Sequence, residues 1–476
     1  MNKLTKRLSP LLAALLLVAC STVPELKAPQ LDVPQAFKEV QAPDGTQWKP
    51  AQPAEAQARG QWWLAFDDSV LTGLIDEATR ANASLAVAAA RVKQARAIAG
   101  ITDASRGVQL GIGAGAQRGR PSAVSLGLPE GTPVAAATSY QAALTASYEI
   151  DLFGRLAAGS SAAQADAQAS EATYKSVLLA LQADVAQTWF RLRAANAELG
   201  TLNRAVDLRT QGVKINQSRF DNGDIGEFDL ARAKTELATA KAEAIGVQRK
   251  RTQNEHALAV LLGKPASSFT ADDKPLAEAA QLPMIPAGLP STLLERRPDI
   301  TAAQRAMTAS NARIGIAKSA MFPALALTGS GGGESASLSD VFKWSSRSWV
   351  LGALLSMPIL DGGRNKANIA RSEAVLEESV ASYRQSVLVA FAEVEDNLAG
   401  LRILAGQAEQ IDAAVVSARR SADLAQKLYD AGRSSYLDLL DAQRNLSAIE
   451  RNAVLLRGDR AVTTVALIRS LGGGWE

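Results

Sequence analysis

The chain has 476 residues, a single cysteine and a net charge of +3, and its Lys and Arg residues are scattered along the sequence. One cysteine excludes an internal disulfide and a zinc site built from several cysteines, and the charge pattern contains no basic patch for nucleic acid. Aromatic residues are only 5% of the chain while alanine is abundant, which favours long, thin helical packing over a thick globular core.

Residues 1–19 have the pattern of an export signal peptide. A positively charged start precedes the apolar stretch 11–19, which is too short to span a bilayer. The segment ends in Leu17-Val18-Ala19-Cys20, which resembles a bacterial lipobox, so we expect Cys20 to be lipidated and to become the mature N-terminus. Ser21 follows instead of the aspartate typical of inner-membrane retention, and the resemblance therefore implies the outer membrane. The Pro- and Ala-rich residues 20–68 are interpreted as a lipidated tether.

Helical periodicity begins at residue 69 and predicts one helix to about residue 105, with Ser69 as its N-cap. A second helix is predicted from residue 155 to about 220, where apolar residues recur every seven positions as in a coiled coil. About 67 residues at about 1.5 Å each give a rod of roughly 100 Å, which is too long for the core of a single domain. A third helix is predicted over 227–262, after a turn at Gly223.

The chain then repeats itself at an offset of 209 residues. The stretch RFDNGDIGEFDLARAK from Arg219 matches LYDAGRSSYLDLLDAQ from Leu428, and Gly223 falls on Gly432. An ungapped register of this length indicates two copies of one structural unit. We assign the first repeat to 69–263 and the second to 291–476, joined by a proline-rich connector, 264–290. No run of apolar residues after position 20 is long enough for a transmembrane helix.

Four short segments alternate between apolar and polar residues and are predicted as strands: 108–117, 139–152, 324–333 and 349–359. In the second of them Tyr140, Leu144 and Tyr148 share one face. The other face of 108–117 is lined with glycine and glutamine, which favours a barrel wall with a wet interior over a soluble hairpin. Four strands cannot close in lipid without a free edge, so copies of the chain are expected to share a barrel. The strand count fits a trimer with twelve strands or a dimer with eight.

Several motifs together resemble the outer membrane factor family, the TolC-like ducts, in its lipoprotein branch. They are Glu149–Arg155 (EIDLFGR), Leu289–Ile300 (LPSTLLERRPDI), Phe322-Pro323 and the ending Leu471–Trp475 (LGGGW). The resemblance implies a mainly helical fold with a membrane β-barrel. In it a homotrimer forms a twelve-stranded barrel above a periplasmic tunnel of twelve helices. The first repeat departs from the pattern, since Arg106-Gly107 stands where Phe-Pro is expected.

The implied function is an exit duct of a tripartite drug efflux system. Its partners would be a periplasmic adaptor protein, an inner-membrane transporter of the resistance-nodulation-division (RND) class and outer-membrane lipid, and no cofactor is implied. A duct for protein secretion and a structural envelope lipoprotein remain alternatives. No catalytic motif or metal-ligand spacing occurs in the sequence, so an enzyme is not expected.

The resemblance also locates a gate at the two helix turns, which lie about 100 Å from the membrane end of the long helices. It implies an aperture ring from Asp438 and Asp441, an apolar gate residue at Leu437, and a latch between Tyr429 and Asp229. On spacing alone, the two aspartates are ordinary solvated acids near a helix N-terminus. In a trimeric ring their crowding would favour cations and raise their pKa values. The arginine often found in the latch is replaced by Ser434, with Arg433 beside it.

Overall fold

The computed structural model describes residues 22–26, 29, 33, 34, 36–39, 60–277, 282, 283, 285 and 296–473. The signal segment, Cys20, most of the tether and the Leu289–Glu295 part of the family motif lie outside these residues. The chain divides into two compact units. Unit 1 comprises Met1–Gln30, Arg91–Ser170 and Ala302–Tyr383, and unit 2 comprises Leu31–Ala90, Glu171–Thr301 and Arg384–Glu476.

Seven α-helices are defined in the described residues. They are α1 (Ser69–Ala81), α2 (Ala83–Ala104), α3 (Arg155–Asp221), α4 (Glu227–Leu261), α5 (Pro298–Ser319), α6 (Arg364–Asp430) and α7 (Tyr436–Ser470). Both α3 and α6 have 67 residues, and both α4 and α7 have 35. The offset between the starts of α3 and α6, 364 minus 155, is 209 residues. Within the described part of the chain, no helix is both long and apolar enough to cross a membrane.

The helix predicted over residues 69–105 is in fact two helices, α1 and α2, which meet at Asn82. The Asn82 side chain accepts a hydrogen bond from the Leu85 backbone N–H at 3.0 Å and donates one to the Leu261 carbonyl at 2.9 Å. The predicted N-cap is also wrong by one residue. Asp68, not Ser69, accepts hydrogen bonds from the Val70 and Leu71 backbone N–H groups, both at 3.1 Å.

The heptad seams of the long helices provide the core of unit 2. Val185 and Leu192 of α3 are fully buried, and so is Val394 of α6. They belong to one apolar cluster with Trp189 and with Val465 from α7. Burying such side chains contributes about 1.5–3 kcal/mol each, so the sevenfold repeat read from the sequence supplies the packing stripe of the helices.

Unit 1 contains one antiparallel sheet in the order β1-β2-β3-β4. Its strands are β1 (Gln109–Gly119), β2 (Ala137–Ile150), β3 (Ala324–Ser335) and β4 (Arg347–Ser356). All four predicted strands are present, with ends shifted by up to three residues. For example, β4 stops at Ser356, before Pro358, whose nitrogen cannot donate a ladder hydrogen bond. The pairing of β2 with β3 joins the first internal repeat to the second within one chain.

The strand register gives the sheet one apolar and one polar face. Ile112 lies opposite Leu144, Leu144 opposite Gly331, and Gly331 opposite Trp349. The side chains of Ile112, Leu144 and Trp349 therefore lie on the same face. Within the chain Ile112 is 87% exposed and Trp349 72% exposed. The opposite face carries Ser139, whose hydroxyl donates to a Glu334 carboxylate oxygen at 2.8 Å. The predicted alternation is confirmed, and none of the described residues covers the apolar face.

The Arg297 side chain binds together three parts of unit 2. Its guanidinium forms two hydrogen bonds with the Asp299 carboxylate, at 3.1 and 2.6 Å. It also donates to Glu393 of α6 at 2.6 Å and to the Ser470 carbonyl at the end of α7 at 3.1 Å. Only 9% of the Arg297 side chain is exposed. The Arg-Arg-Pro-Asp part of the family motif therefore has a structural role, because it attaches the start of α5 to two other helices.

Candidate functional site

The two helix turns have the same backbone geometry. Gly223 has φ of +79° and Gly432 has φ of +67°, in the left-handed region that favours glycine. At the first turn the Gly223 N–H donates to the Phe220 carbonyl, and at the second the Gly432 N–H donates to the Tyr429 carbonyl, both at 2.9 Å. Gly223 and Gly432 are therefore C-terminal glycine caps of the two long helices.

The helices that follow the turns begin differently. Helix α4 starts after Gly226, which has no side chain to form a cap. Helix α7 starts with a capping box between Ser435 and Asp438. The Ser435 hydroxyl accepts from the Asp438 N–H at 3.2 Å, and Asp438 Oδ2 accepts from the Ser435 N–H at 3.0 Å. The N-terminus of α7 is thus stabilised by side-chain hydrogen bonds that the N-terminus of α4 does not have.

Asp438 therefore has a structural role within the chain. Hydrogen bonds from the Ser435 hydroxyl and backbone N–H hold the pKa of the Asp438 carboxyl below its ordinary value. This is the geometry of a helix N-terminal acid, the simpler of the two interpretations drawn from the sequence. The effect of a ring of acids on this pKa is a property of assembled copies, so the aperture role of Asp438 stays a prediction.

Asp441 and Leu437 lie beside the capping box, on the first turns of α7. Asp441 is exposed, and its Oδ1 lies 3.9 Å from an Arg444 guanidinium nitrogen. Leu437 is 40% exposed. Neither side chain is taken up by the packing of the chain, and both remain accessible to another copy or to a solute. Their predicted gate roles stay predictions.

The hydroxyl of Tyr429 is held by a residue that the sequence did not indicate. It accepts a hydrogen bond from an Arg219 guanidinium nitrogen at 3.2 Å, between the ends of α6 and α3. Asp229, its predicted partner, is half-buried in the first turn of α4. Since the predicted tie joins neighbouring hairpins, a contact between copies, the Tyr429–Asp229 pair stays a prediction. Within the chain the Tyr429 hydroxyl is bound by Arg219, whereas Ser434 stands where the latch arginine is often found.

A second contact near the turns involves Tyr436 and Gly212. A Cβ atom at Gly212 would lie only 2.8 Å from the Tyr436 hydroxyl oxygen, so the glycine makes room for this side chain. The Tyr436 and Tyr429 ring centroids are 6.0 Å apart. Burial, and then the neighbouring Tyr429 and Glu236, raise the pKa of the Tyr436 hydroxyl. In the sequence this contact could have been suspected from Gly212, because a glycine inside a long predicted helix often marks close packing.

Replacing Ser435 by Ala should loosen the start of α7. The amides of Tyr436–Leu439 should exchange faster with solvent, because the substitution removes the acceptor of the Asp438 N–H. The pKa of Asp438 should rise toward its ordinary value, which NMR titration measures. Since this pKa is lowered in the folded chain, the capping contribution is present above the unfolded pKa and is lost as pH falls through the folded pKa. Ser435→Thr keeps the hydroxyl and serves as the matched control. Unchanged exchange in Ser435→Ala would contradict this role.

Comparison with known proteins agrees with this architecture. The family model "Outer membrane efflux protein" matches residues 74–264 and 289–473. The chain is 34% identical over 472 residues to the solvent efflux pump outer membrane protein SrpC of Pseudomonas putida, covering 98% of both chains. It is 32% identical over 473 residues to the cation efflux system protein CusC of Escherichia coli K12, covering 98% of this chain and 99% of CusC.

Solved structures show the same fold. The Campylobacter jejuni CmeC outer membrane channel matches with a TM-score of 0.89 at 26% identity, over 96% of each chain. The open-state MtrE outer membrane channel of Neisseria gonorrhoeae matches with a TM-score of 0.82 at 30% identity, over 96% of this chain and 98% of MtrE. Both of these structural neighbours are outer membrane channels.

Proposed function

The chain belongs to the outer membrane efflux protein family, and we propose that three copies of it form the exit duct of a tripartite efflux system. The observation that carries the proposal is the sheet of unit 1. Its apolar face is uncovered, and its edge strands β1 and β4 each pair on one side only among the described residues. A sheet in lipid needs every backbone group paired, so other copies must complete it.

Three copies would contribute twelve strands and satisfy this requirement. The twelve-stranded barrel and the tunnel of twelve helices are the arrangement implied by the family resemblance, and they use every long helix found here. Passive passage needs no catalytic group. Within the part of the chain that the structure describes, no cluster of His, Cys, Asp or Glu could hold a metal ion.

The proposed partners are a periplasmic adaptor and an inner-membrane RND transporter, and the proposed cargo is drugs or other small toxic compounds. Solvent and cation efflux in the names of SrpC and CusC support small toxic solutes as the cargo class. Passage of these compounds would confer resistance to antibiotics or solvents. The proposed gate is Leu437, Asp438 and Asp441, with the Tyr429–Asp229 latch, at the turns marked by Gly223 and Gly432.

We also propose that Cys20 carries fatty acyl chains, palmitate among them, that anchor the chain in outer-membrane lipid. The nearby part of the tether supports this placement. The Thr22 hydroxyl donates to the Phe153 carbonyl at 3.0 Å or the Gly315 carbonyl at 2.9 Å. Since Phe153 follows the end of β2, the chain two residues after Cys20 lies near an end of the membrane-facing sheet. A lipid there would reach the same bilayer as the strands.

Native mass spectrometry of the detergent-solubilised protein tests the assembly. We expect a stable trimer, because closing the sheet requires the edges of other copies. Each chain should begin at residue 20 and carry the mass of the attached acyl chains, and the control Cys20→Ser should lose that mass while remaining trimeric and membrane-inserted. Monomers alone, or a Cys20→Ser variant that is fully soluble in the periplasm, would contradict the proposal.

A further inference from the structure

Unit 2 contains a cavity of about 250 Å³ between α3 and the α6–α7 pair. Its apolar walls include Phe66, Phe190 and Leu456. Charged side chains also line it: Asp68, Arg193, Asp412, Arg457 and Arg460. A dry apolar cavity of about 150 Å³ is enough to hold benzene. The present cavity therefore has room for one aromatic ring with an acidic substituent.

Two donors at this cavity lack acceptors, although most of its charges are matched. An Arg193 guanidinium nitrogen lies 2.7 Å from Asp68, and an Arg457 nitrogen lies 3.8 Å from Asp412. Arg460 forms no ion pair with any carboxylate in the described residues. The Nε–H of Arg193 is buried and has no hydrogen-bond partner within the described chain. A buried donor without an acceptor is rare and costly, so the Nε–H of Arg193 favours an acceptor. Arg460 is only partly buried, but its charge has no partner carboxylate among the described residues, so the pair of groups favours an anion.

Comparison of the two repeats shows that Arg460 has fewer side-chain acceptors than the corresponding arginine of the first repeat. Its counterpart 209 residues earlier is Arg251, which donates to Asn196 Oδ1 at 3.0 Å and to Glu255 Oε2 at 3.1 Å. Position 405, the counterpart of Asn196, is Ala405, and the counterpart of Glu255 is Thr464. The Thr464 hydroxyl already donates to the Arg460 backbone carbonyl at 2.8 Å. The second copy therefore keeps the arginine without the acceptors that satisfy it in the first copy.

We propose that this cavity binds a small amphipathic organic anion. The apolar part of the ligand would lie against Phe66, Phe190 and Leu456. Its sulfonate or carboxylate would accept hydrogen bonds from Arg460 and from the Nε–H of Arg193. Charge-assisted hydrogen bonds of this kind are roughly twice as strong as neutral ones. The site is separate from the helix turns and does not depend on the transport function.

Titration with 4-fluorobenzenesulfonate, followed by ¹⁹F NMR in a non-ionic detergent, tests the proposal. The parent protein should bind it saturably at one site per chain. Because the ligand bridges α3 and α7, saturation should also raise the thermal unfolding midpoint. Sulfate lacks the ring and 4-fluorobenzyl alcohol lacks the charge, so both should bind at least about tenfold more weakly. Absence of saturable binding, or equal binding of the neutral alcohol, would overturn the proposal.

Three variants locate the binding site. Arg460→Gln should weaken binding by about tenfold or more, because it removes the unpaired charge. Arg249→Gln, which removes an exposed arginine from α4, is the matched control and should bind like the parent. Ala408→Leu should weaken binding with no change of charge, because Ala408 lines the cavity. Parent-like binding by Arg460→Gln would overturn the proposal even if Ala408→Leu does not fold.

Discussion

Single-channel recordings of Tyr429→Phe combined with Asp229→Ala are expected to show a larger open fraction than recordings of the parent. The first substitution removes the acceptor of the Arg219 hydrogen bond, and the second removes the predicted tie to the neighbouring hairpin. A hydrogen bond to a charged group stabilises by about 1.5–3 kcal/mol. A difference of about 1.4 kcal/mol is tenfold in an equilibrium, so a rise in open fraction of about tenfold or more is expected.

The single variants separate the two contacts. Tyr429→Phe alone tests the Arg219 bond, and Asp229→Ala alone tests the contact between copies. Tyr174→Phe is the control, since it removes the hydroxyl of a partly buried tyrosine that packs on the main cluster of unit 2. If the double variant gates like the parent, the latch is elsewhere and these residues only shape the helix ends.

Arg297→Met should markedly destabilise the protein. Removing one partner of a buried ion pair costs about 3–5 kcal/mol, because the remaining charges are left uncompensated. The lower end is expected here, since the side chains of Asp299 and Glu393 are 39% and 48% exposed. The denaturant midpoint of the solubilised protein measures this loss.

The matched control is Arg313→Met, which removes an arginine paired with Asp166 on the surface. Both side chains of that pair are nearly half exposed, and exposed pairs contribute about 0–1 kcal/mol. Equal losses in the Arg297 and Arg313 variants would contradict the structural role of the motif.

The contribution of Arg297 to the free energy of unfolding should also depend on pH. Burial raises the pKa of the Asp299 carboxyl, but the hydrogen bonds and charge of Arg297 outweigh burial and hold that pKa below its ordinary value. The stabilisation is therefore present above the unfolded pKa, about 3.9, and is lost as pH falls through the folded pKa. The difference in unfolding free energy between the parent and Arg297→Met should become smaller below about pH 4. A difference that stays constant on acidification would exclude the Asp299 pairing as its source.

The long helices, the repeat and the four strands were all predicted from the sequence, because each is encoded in local periodicity. The sevenfold spacing that includes Val185 and Leu192 specifies a buried stripe, and alternation specifies the two faces of the sheet. The break between α1 and α2 was missed because it depends on tertiary contact. Asn82 caps α2 while its amide donates to Leu261, a residue distant in sequence.

The residues of the candidate site were located by resemblance, whereas their contacts were not predicted. The capping box of Asp438 was foreseeable, since serine three residues before an acidic residue is its known pattern. The Arg219–Tyr429 bond was not, because it joins α3 to α6 across 210 positions of sequence. Position 219 corresponds to Leu428 in the second copy, so the repeat itself gave no indication of this arginine.

The most direct test of the proposed duct is the current through the purified protein in a planar lipid bilayer under a salt gradient. A trimeric channel with six aspartates at its aperture should give discrete conductance steps and a cation-selective reversal potential. The double variant Asp438→Asn with Asp441→Asn should still show discrete conductance steps, and its reversal potential should shift toward the value of a non-selective channel. A protein that inserts without conducting would contradict the duct and favour a structural envelope lipoprotein. A parent-like reversal potential in the double variant would place the aperture elsewhere.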